Sequence, residues 1–328
     1  MVKIIAEAAT CHGGQLELAK SLVLMAADAG ADIIKFQHII PERLYSPRAM
    51  VSGKWIQNPA IQSRTQELLS YEDLVSLKRY SDKIGIEFAL TLFDIRSLEL
   101  VSMLGLPFIK IASGDLSFFP FLEQISSLDV PVILSTGMAS MSEISAAISV
   151  LNPKSSNSLT LLHCVSVYPC PPNLVNLQRI TELQKFGFMV GYSDHSLGDW
   201  AAHSAVALGA EVIEKHVRLS NGPITPDYEH SMSEIEFTKF VNSIRNVQHG
   251  LLEHPNGQSI EESLVQKRAR RGVYAAKDIE KGQVMSESDF VFLRPESEFT
   301  PMNYQQLIGK KVLKNIGSGE PIQAACLQ

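Results

Sequence analysis

The 328-residue sequence contains only four cysteines, Cys11, Cys164, Cys170 and Cys326. They form neither a C-x-x-C motif nor a dense framework, so we expect reduced thiols in a cytoplasmic protein. Positive charge is also in the minority, because 29 basic residues face 35 acidic ones. The resulting formal charge of −6 gives no attraction to nucleic acid or to an anionic membrane.

Long apolar runs are missing as well. The opening residues, MVKIIAEAATCHGG, show no extended apolar core with a cleavage site, so we expect no signal peptide. No apolar run approaches the ~20 residues that a helix needs to span a bilayer. No G-x-G-x-x-G follows the first predicted strand, which disfavours an open dinucleotide-binding sheet.

Short, continuously apolar runs are what the first three-quarters of the chain does contain. Such runs are typical of strands that are covered on both faces. They lie at 2–7, 31–37, 86–92, 107–113, 130–137, 159–164, 188–194 and 211–216. Helical patterns separate them, with capping pairs at Ser70/Asp73 and Ser140/Glu143. The alternation predicts a (β/α)8 TIM barrel over residues 1–250, with a doubly wound sheet as the alternative.

Two segments depart from this pattern. Residues 38–70 form a long insertion after the second strand, with Trp55 in its middle, and we expect a lid over the site. After a polar linker at 251–269, which could span up to ~60 Å if extended, residues 270–328 carry the turn sequences DIEKGQ and NIGSGEPI. These turns predict a second, small and β-rich domain.

Polar residues follow nearly every predicted strand. In a barrel the carboxyl ends of the strands meet around one pocket, so these side chains predict an active site. They are Glu7, Lys35, Gln37, Thr91, Lys110, Ser113, Asp115, Ser135, Thr136, Ser166, Tyr168, Ser193, Asp194, His195, Glu214 and His216.

Lys35 and Lys110 are costly on apolar strands unless an anion meets them. Each lysine alone is explained equally well by a buried salt bridge to Glu7, Glu214 or Asp115. Together with the neighbouring hydroxyl groups, they favour a phosphate or carboxylate site.

His195 and His216 end neighbouring strands, about 4.8 Å apart, so both imidazoles can reach one metal ion. Asp194 or Glu214 could orient one of the rings. Two nitrogen ligands leave places for water and substrate oxygens, which suits a catalytic divalent ion, with Mn²⁺ preferred over Mg²⁺ or Co²⁺. His12 is divided between substrate contact and local turn bonding, and His163 is interpreted as structural. The basic run QKRARRG at 266–272 is interpreted as solvated or interdomain.

The ordered motifs resemble the sialic acid synthase family, which includes the legionaminic and pseudaminic acid synthases. The resemblance runs through IAEAATCHGG, GADIIKFQ, IKIASGD, ILSTGMAS, LLHCVSVYP, GYSDHS, EKH, TPD and FLRP. It implies a barrel followed by an antifreeze-like (SAF) domain. It also implies that phosphoenolpyruvate condenses with an open-chain N-acetylated amino sugar, similar to N-acetylmannosamine. The products are phosphate and a nine-carbon 3-deoxy-2-keto acid.

The resemblance also implies roles for individual residues. The phosphoenolpyruvate contacts are Lys35, Thr91, Lys110, Ser113, Ser135, Ser166 and Ser193. His195 and His216 match the manganese ligands, and Tyr168, Asp227 and Arg294 match sugar contacts, the last across a domain-swapped homodimer. Asp115 stands where several members carry a glutamate that handles water. Gly13 and the stretch RPESEF depart from sugar-contacting patterns.

Two other classes compete with a synthase. A metal-dependent barrel hydrolase would need further ligands on the first strand, where only His12 occurs. A catalytically inactive sugar-binding relative is disfavoured by the intact lysines, hydroxyls and histidines.

Overall fold

A closed barrel of eight parallel strands forms the centre of the first part of the chain. The structure is a computed structural model that describes residues 1–252, 257 and 259–328, apart from the side chain of Asn157. The strands, in chain order, are β1 (Lys3–Ala9), β2 (Ile33–His38), β3 (Arg48–Val51), β4 (Lys54–Gln57), β5 (Glu87–Leu92), β6 (Ile109–Ile111), β7 (Val132–Ser135), β8 (Leu159–His163), β9 (Met189–Asp194), β10 (Val212–His216), β11 (Gly272–Ala275) and β12 (Phe290–Leu293).

The barrel closes because β1 pairs with both β2 and β10, while the order β2-β5-β6-β7-β8-β9-β10 runs round the remainder. The predicted (β/α)8 barrel is therefore confirmed. Each of the eight barrel strands lies within or close to one of the predicted apolar runs.

Helices occupy the connections between the strands. They are α1 (Leu16–Asp28), α2 (Pro41–Leu44), α3 (Pro59–Thr65), α4 (Tyr71–Ile84), α5 (Glu99–Leu104), α6 (Phe119–Ser126), α7 (Met141–Leu151), α8 (Gln178–Gln184), α9 (Trp200–Ala207), α10 (Glu234–Gly250) and α11 (Ile260–Ala269). The predicted capping pairs are confirmed, since Ser70 and Ser140 each form a capping box at the start of α4 and α7. These side chains satisfy backbone N–H groups that the first helical turn leaves free.

The 38–70 insertion contains α2, an antiparallel hairpin of β3 and β4, and α3. Trp55 lies on the hairpin and is 59% exposed. The end of the insertion packs against the loop after β1, because a Cβ added at Gly14 would lie 2.7 Å from the carbonyl oxygen of Gln66. The expected lid role stays a prediction.

The chain divides into two units, Met1–Leu251 and Leu252–Gln328. The second unit pairs β11 with β12 around a small core that includes Val273, Ile279 and Ile316. The stretch predicted as a linker, 251–269, contains α11, which the prediction did not include. Ser259 starts this helix by accepting the Glu262 N–H at 3.0 Å. Residues 253–256 and 258 of that stretch lie outside the described residues.

Candidate active site

On seven of the eight barrel strands, an inward-facing apolar residue is followed two positions later by an inward-facing polar one. The apolar layer consists of Ile5, Ile33, Ala89, Phe108, Ile133, Leu162 and Val212. Two positions later come Glu7, Lys35, Thr91, Lys110, Ser135, Cys164 and Glu214, all of which line one cavity. Because side chains on a strand alternate between faces, both layers point inward. The polar layer therefore lies at the carboxyl ends of the strands, where barrel active sites are built.

The cavity has a volume of about 280 Å³. The predicted strand-end residues that line it are Glu7, Lys35, Gln37, Thr91, Lys110, Ser113, Ser135, Ser166, Tyr168, Ser193, His195, Glu214 and His216. Cys164 and Met138 also line it, and sequence reasoning assigned neither of them to the site.

Lys35 makes the closest ion-pair contacts in the cavity. Its ammonium group contacts a carboxylate oxygen of Glu7, lies 3.4 Å from Glu214, and donates to Thr91 Oγ1 at 2.9 Å. Burial alone would lower the pKa of Lys35, but the attraction of Glu214 and Glu7 raises it. Lys35 is therefore held as a cation. Burial raises the pKa of Glu7, and this effect outweighs the attraction of Lys35.

The positive charge of Lys110 is less fully balanced by nearby carboxylates than that of Lys35. It donates to Ser135 Oγ at 2.7 Å, and its nearest carboxylate, that of Glu214, is 3.9 Å away. Burial lowers the pKa of Lys110. Burial would raise the pKa of Glu214, but Lys110, Lys35 and a hydrogen bond from Ser193 lower it to about 2. The cavity thus contains the buried ion pairs that were one of the two explanations for these lysines.

Gly137 allows the side chains of Ser113, Ser166 and Cys164 to lie close together on one side of the cavity. Its N–H donates to Ser113 Oγ at 3.0 Å. A Cβ at this position would lie 2.6 Å from Ser166 Oγ, 2.8 Å from Ser113 Oγ and 3.0 Å from Cys164 Sγ. Only glycine lets these groups converge beside Lys110, where their hydroxyls can donate to an anion.

His195 and His216 lie side by side, with ring centroids 5.6 Å apart. His195 Nδ1 bonds the carbonyl oxygen of Val165 at 2.8 Å, and the ring of Tyr168 packs against it at a tilt, with 4.2 Å between centroids. The expected orienting role of Asp194 is wrong, because its carboxylate accepts from Tyr192, Ser196 and Lys215. Asp194 belongs to the opposite face of its strand. Glu214 accepts from Ser193 at 2.7 Å and pairs with the lysines.

A third histidine, which the sequence analysis did not single out, lies next to this pair. His230 has its ring centroid 4.7 Å from that of His216. One donor atom from each of His216, Asp227 and His230 falls within 4.8 Å of the other two. His216 Nδ1 and His230 Nε2 are buried with no hydrogen-bond partner among the described residues. Burial lowers the pKa of both rings, which favours the neutral form that binds metals. These donors fit a divalent cation, and the Asp-x-x-His spacing of 227–230 is the signal that could have identified them.

Besides Asp194, four predicted residues do not line the cavity. Asp115, just after β6, is outside the lining, and burial raises its pKa to about 6. Thr136 instead donates to the carbonyl oxygen of Leu162 at 3.0 Å. Asp227 reaches the histidine group instead and accepts from Thr10 Oγ1 at 3.3 Å. Arg294 lies in the second unit, exposed, with no ion pair among the described residues.

Two further histidines are held by local contacts. His12 Nδ1 accepts the Gly14 N–H at 3.1 Å, which is the local turn bonding considered for it. His163 is buried and bonds the carbonyl oxygen of Val175 at 2.8 Å, which agrees with a structural role.

The fold and the cavity define a (β/α)8-barrel protein with two buried lysines and several hydroxyls beside a cluster of imidazoles. The chain matches the NeuB family over residues 22–254 and the SAF domain over residues 270–328. It belongs to the NeuB family.

Curated relatives and solved structures extend this similarity over most of the chain. An N,N'-diacetyllegionaminic acid synthase of Campylobacter jejuni is 36% identical, over 98% of each chain. The human N-acetylneuraminate-9-phosphate synthase is 31% identical, over 97% of this chain and 90% of its own. The structure of an N-acetylneuraminic acid (sialic acid) synthetase from Leptospira borgpetersenii, in complex with citrate, superimposes with a TM-score of 0.71 and 35% identity. That match covers 80% of this chain and 90% of the other. No helix in the described part of the chain is long and apolar enough to cross a membrane.

Proposed function

We propose that this protein condenses phosphoenolpyruvate with an open-chain N-acetylated amino sugar, such as N-acetylmannosamine, to give a nine-carbon 3-deoxy-2-keto acid and phosphate. The observation that carries the proposal is the cavity itself, in which two buried lysines and several hydroxyls lie beside an imidazole cluster. The relatives named above are synthases of acids of this kind. Their names support a carbon–carbon bond-forming transferase.

In this reaction C3 of the enol bonds to the aldehyde carbon of the sugar. Water adds to C2, and phosphate leaves. The phosphoenolpyruvate contacts are assigned to Lys35, Thr91, Lys110, Ser113, Ser135, Ser166 and Ser193. Lys35 and Lys110 supply the positive charge that a phosphate or carboxylate group needs once it is removed from water. The hydroxyls and the Gly137 corner fix its orientation.

His195 and His216 are assigned as ligands of a divalent ion, Mn²⁺ in first place and Mg²⁺ or Co²⁺ as alternatives. Such an ion, when bound, would supply Lewis-acid polarisation of the sugar aldehyde. The hydrogen bond of His195 to the Val165 carbonyl fixes the ring, as is usual for a metal-binding histidine.

Asp115 is assigned to proton exchange with the reacting water. Its raised pKa, about 6, allows it to bind and release a proton near neutral pH. Tyr168 is assigned to the sugar, since half of its surface is exposed beside His195. Asp227 is assigned to the sugar from the family resemblance.

The second unit is assigned a role in completing the active site of a partner subunit. We assign the chemistry to residues 1–250, the linker to 251–269 and the SAF domain to 270–328. The protein would then be a cytoplasmic homodimer, in which Arg294 contacts the sugar bound by its neighbour.

Complementation tests this arrangement. A His195→Ala subunit keeps Arg294, and an Arg294→Ala subunit keeps the unaltered cavity. Mixed dimers should recover part of the activity that neither variant shows alone. No recovery in mixed dimers of verified composition, or normal sugar affinity in Arg294→Ala, would defeat the assignment.

The reaction is tested by measuring phosphate release from phosphoenolpyruvate against a panel of N-acetylated hexosamines, with and without Mn²⁺. We expect release that depends on both the sugar and the metal, with the nine-carbon acid detected by mass spectrometry. Release without sugar would indicate hydrolysis. No release with any member of the panel, while phosphoenolpyruvate still binds, would contradict the condensation.

A further inference from the structure

His230 lies on the connection between β10 and α10, outside the strand ends that carry the other proposed ligands. Its side chain is buried, with 4% of the residue exposed. Its ring lies 4.7 Å from that of His216 and 5.0 Å from that of Tyr168, measured between centroids. It therefore faces the same group of side chains as the proposed metal ligands.

The unsatisfied atoms of this group are unusual for a buried site. Buried polar atoms nearly always have a partner, because an unpaired one forfeits its hydrogen bonds with water. Here two imidazole nitrogens, one from His216 and one from His230, have none within the described residues. The carboxylate of Asp227 approaches His230 Nε2 at 3.6 Å, beyond normal hydrogen-bond length. An ordinary carboxylate–histidine bond thus does not account for the arrangement, whereas a cation between the three donors would satisfy all of them.

We infer that His230 and Asp227 bind the same divalent ion as His216, so that this chain contributes a third imidazole and a carboxylate to its metal site; the carboxylate of Asp227 then serves the ion in place of the sugar contact assigned to it above. The inference rests on the proposed function, which requires such an ion. The three donor atoms lie within 4.8 Å of one another. Ligands at ~2.1 Å from one ion can be at most ~4.2 Å apart, so only a small side-chain rotation is needed.

The chemistry of the donors agrees with the ion proposed. Imidazole and carboxylate groups together suit Mn²⁺ and related divalent ions. Thr10 Oγ1 donates to the other carboxylate oxygen of Asp227 at 3.3 Å. Such a contact orients the free oxygen and is typical of groups that support a metal ligand. The site should consequently bind Mn²⁺ before either substrate is present.

The test compares Mn²⁺ binding by wild-type protein, His230→Ala and His249→Ala in the absence of substrates. Free Mn²⁺ is quantified by electron paramagnetic resonance, and spin-echo modulation counts the imidazole nitrogens bound directly to the ion. His249, exposed near the end of α10, is the matched control. We expect His230→Ala to lose at least ~10-fold in affinity and one coordinated imidazole, and the control to lose neither. Circular dichroism checks folding, and His230→Gln, which fills the space, replaces the alanine variant if that one does not fold.

Unchanged affinity, or weaker affinity with the same number of coordinated imidazoles, would overturn the inference, because the residue would then act only through its neighbours. The two proposals fail separately. Metal-dependent phosphate release by wild type, with unaltered Mn²⁺ binding in His230→Ala, would remove only the third ligand. Normal three-imidazole binding without any condensation would remove the proposed reaction and leave the metal site.

Discussion

Replacing Lys110 by methionine tests whether the cavity binds an anion. Lys110 donates to the neutral Ser135 hydroxyl at 2.7 Å, and its nearest carboxylate, that of Glu214, is 3.9 Å away. Its charge is therefore less neutralised than that of Lys35, which contacts Glu7 and lies 3.4 Å from Glu214. Removing Lys110 leaves the closer ion pairs in place, so a loss of ligand binding can be separated from a loss of stability.

The size of the effect follows from these contacts. We expect Lys110→Met to weaken phosphoenolpyruvate binding by about 2–4 kcal/mol, or roughly 30- to 900-fold, because a buried charge-assisted contact is lost. The free energy of unfolding should fall by only about 1–2 kcal/mol, since the lost hydrogen bonds are to uncharged acceptors, Ser135 Oγ at 2.7 Å and the carbonyl oxygen of Ile111 at 3.3 Å. Lys35→Met should cost more stability, about 3–5 kcal/mol, because it leaves two buried carboxylates without their nearest cation.

The assay combines calorimetric titration with phosphoenolpyruvate and urea unfolding of the same samples. Lys215→Met is the matched control, because Lys215 is as deeply buried but pairs with Asp194 at 2.8 Å on the face toward the helices. It should lose stability and keep its affinity. If Lys110→Met also keeps its affinity and loses only stability, the lysine is a structural ion-pair partner and the anion site is refuted.

Three further predictions concern other parts of the site. His195→Ala or His216→Ala should abolish Mn²⁺-dependent condensation with an unchanged circular dichroism spectrum, and full activity in either variant or after chelation would exclude the metal. Burial raises the pKa of Asp115 to about 6 from 3.8, so its stabilising contribution, present at low pH, is lost as pH rises through this interval. The melting temperature of Asp115→Asn relative to wild type should then increase between about pH 4 and pH 7, and a constant difference would contradict the shift. Gly137→Ala places a Cβ 2.6 Å from a serine hydroxyl and should cost about 1–3 kcal/mol of stability, together with phosphoenolpyruvate affinity. Gly114→Ala, with nothing within 4 Å of the added Cβ, is its control, and equal stability of the two variants would contradict the steric argument.

The barrel could be predicted because the inward-facing residues of each strand form a pattern that is visible within a few consecutive positions of the sequence. An apolar residue such as Ile33 or Phe108 is followed two positions later by a charged one, Lys35 or Lys110, and both point inward. The hairpin in the insertion was not predicted, although its signal was present. Ser52 and Gly53, at positive φ values of 50° and 78°, form a two-residue turn between short strands.

The sequence predicted where the site lies better than it predicted which side chains meet there. Which carboxylate meets which lysine depends on how β1, β2 and β10 are arranged round the barrel. His230 escaped detection because it lies on a loop without strand periodicity. The path of that loop is set by distant contacts, such as Asp227 with Thr10, which is 217 positions earlier in the chain.

Strand β10 ends with three consecutive buried polar residues, Glu214, Lys215 and His216. The outer two line the cavity, and the middle one contacts Asp194 between the barrel and the helices. A slip of one residue in this strand would exchange the two faces. Lys215 would then enter the cavity beside the positive charges of Lys35 and Lys110, and the carboxylate of Glu214 would face that of Asp194. Like charges would meet on both sides of the sheet, so the groups assigned to chemistry also select against misaligned closure of the barrel.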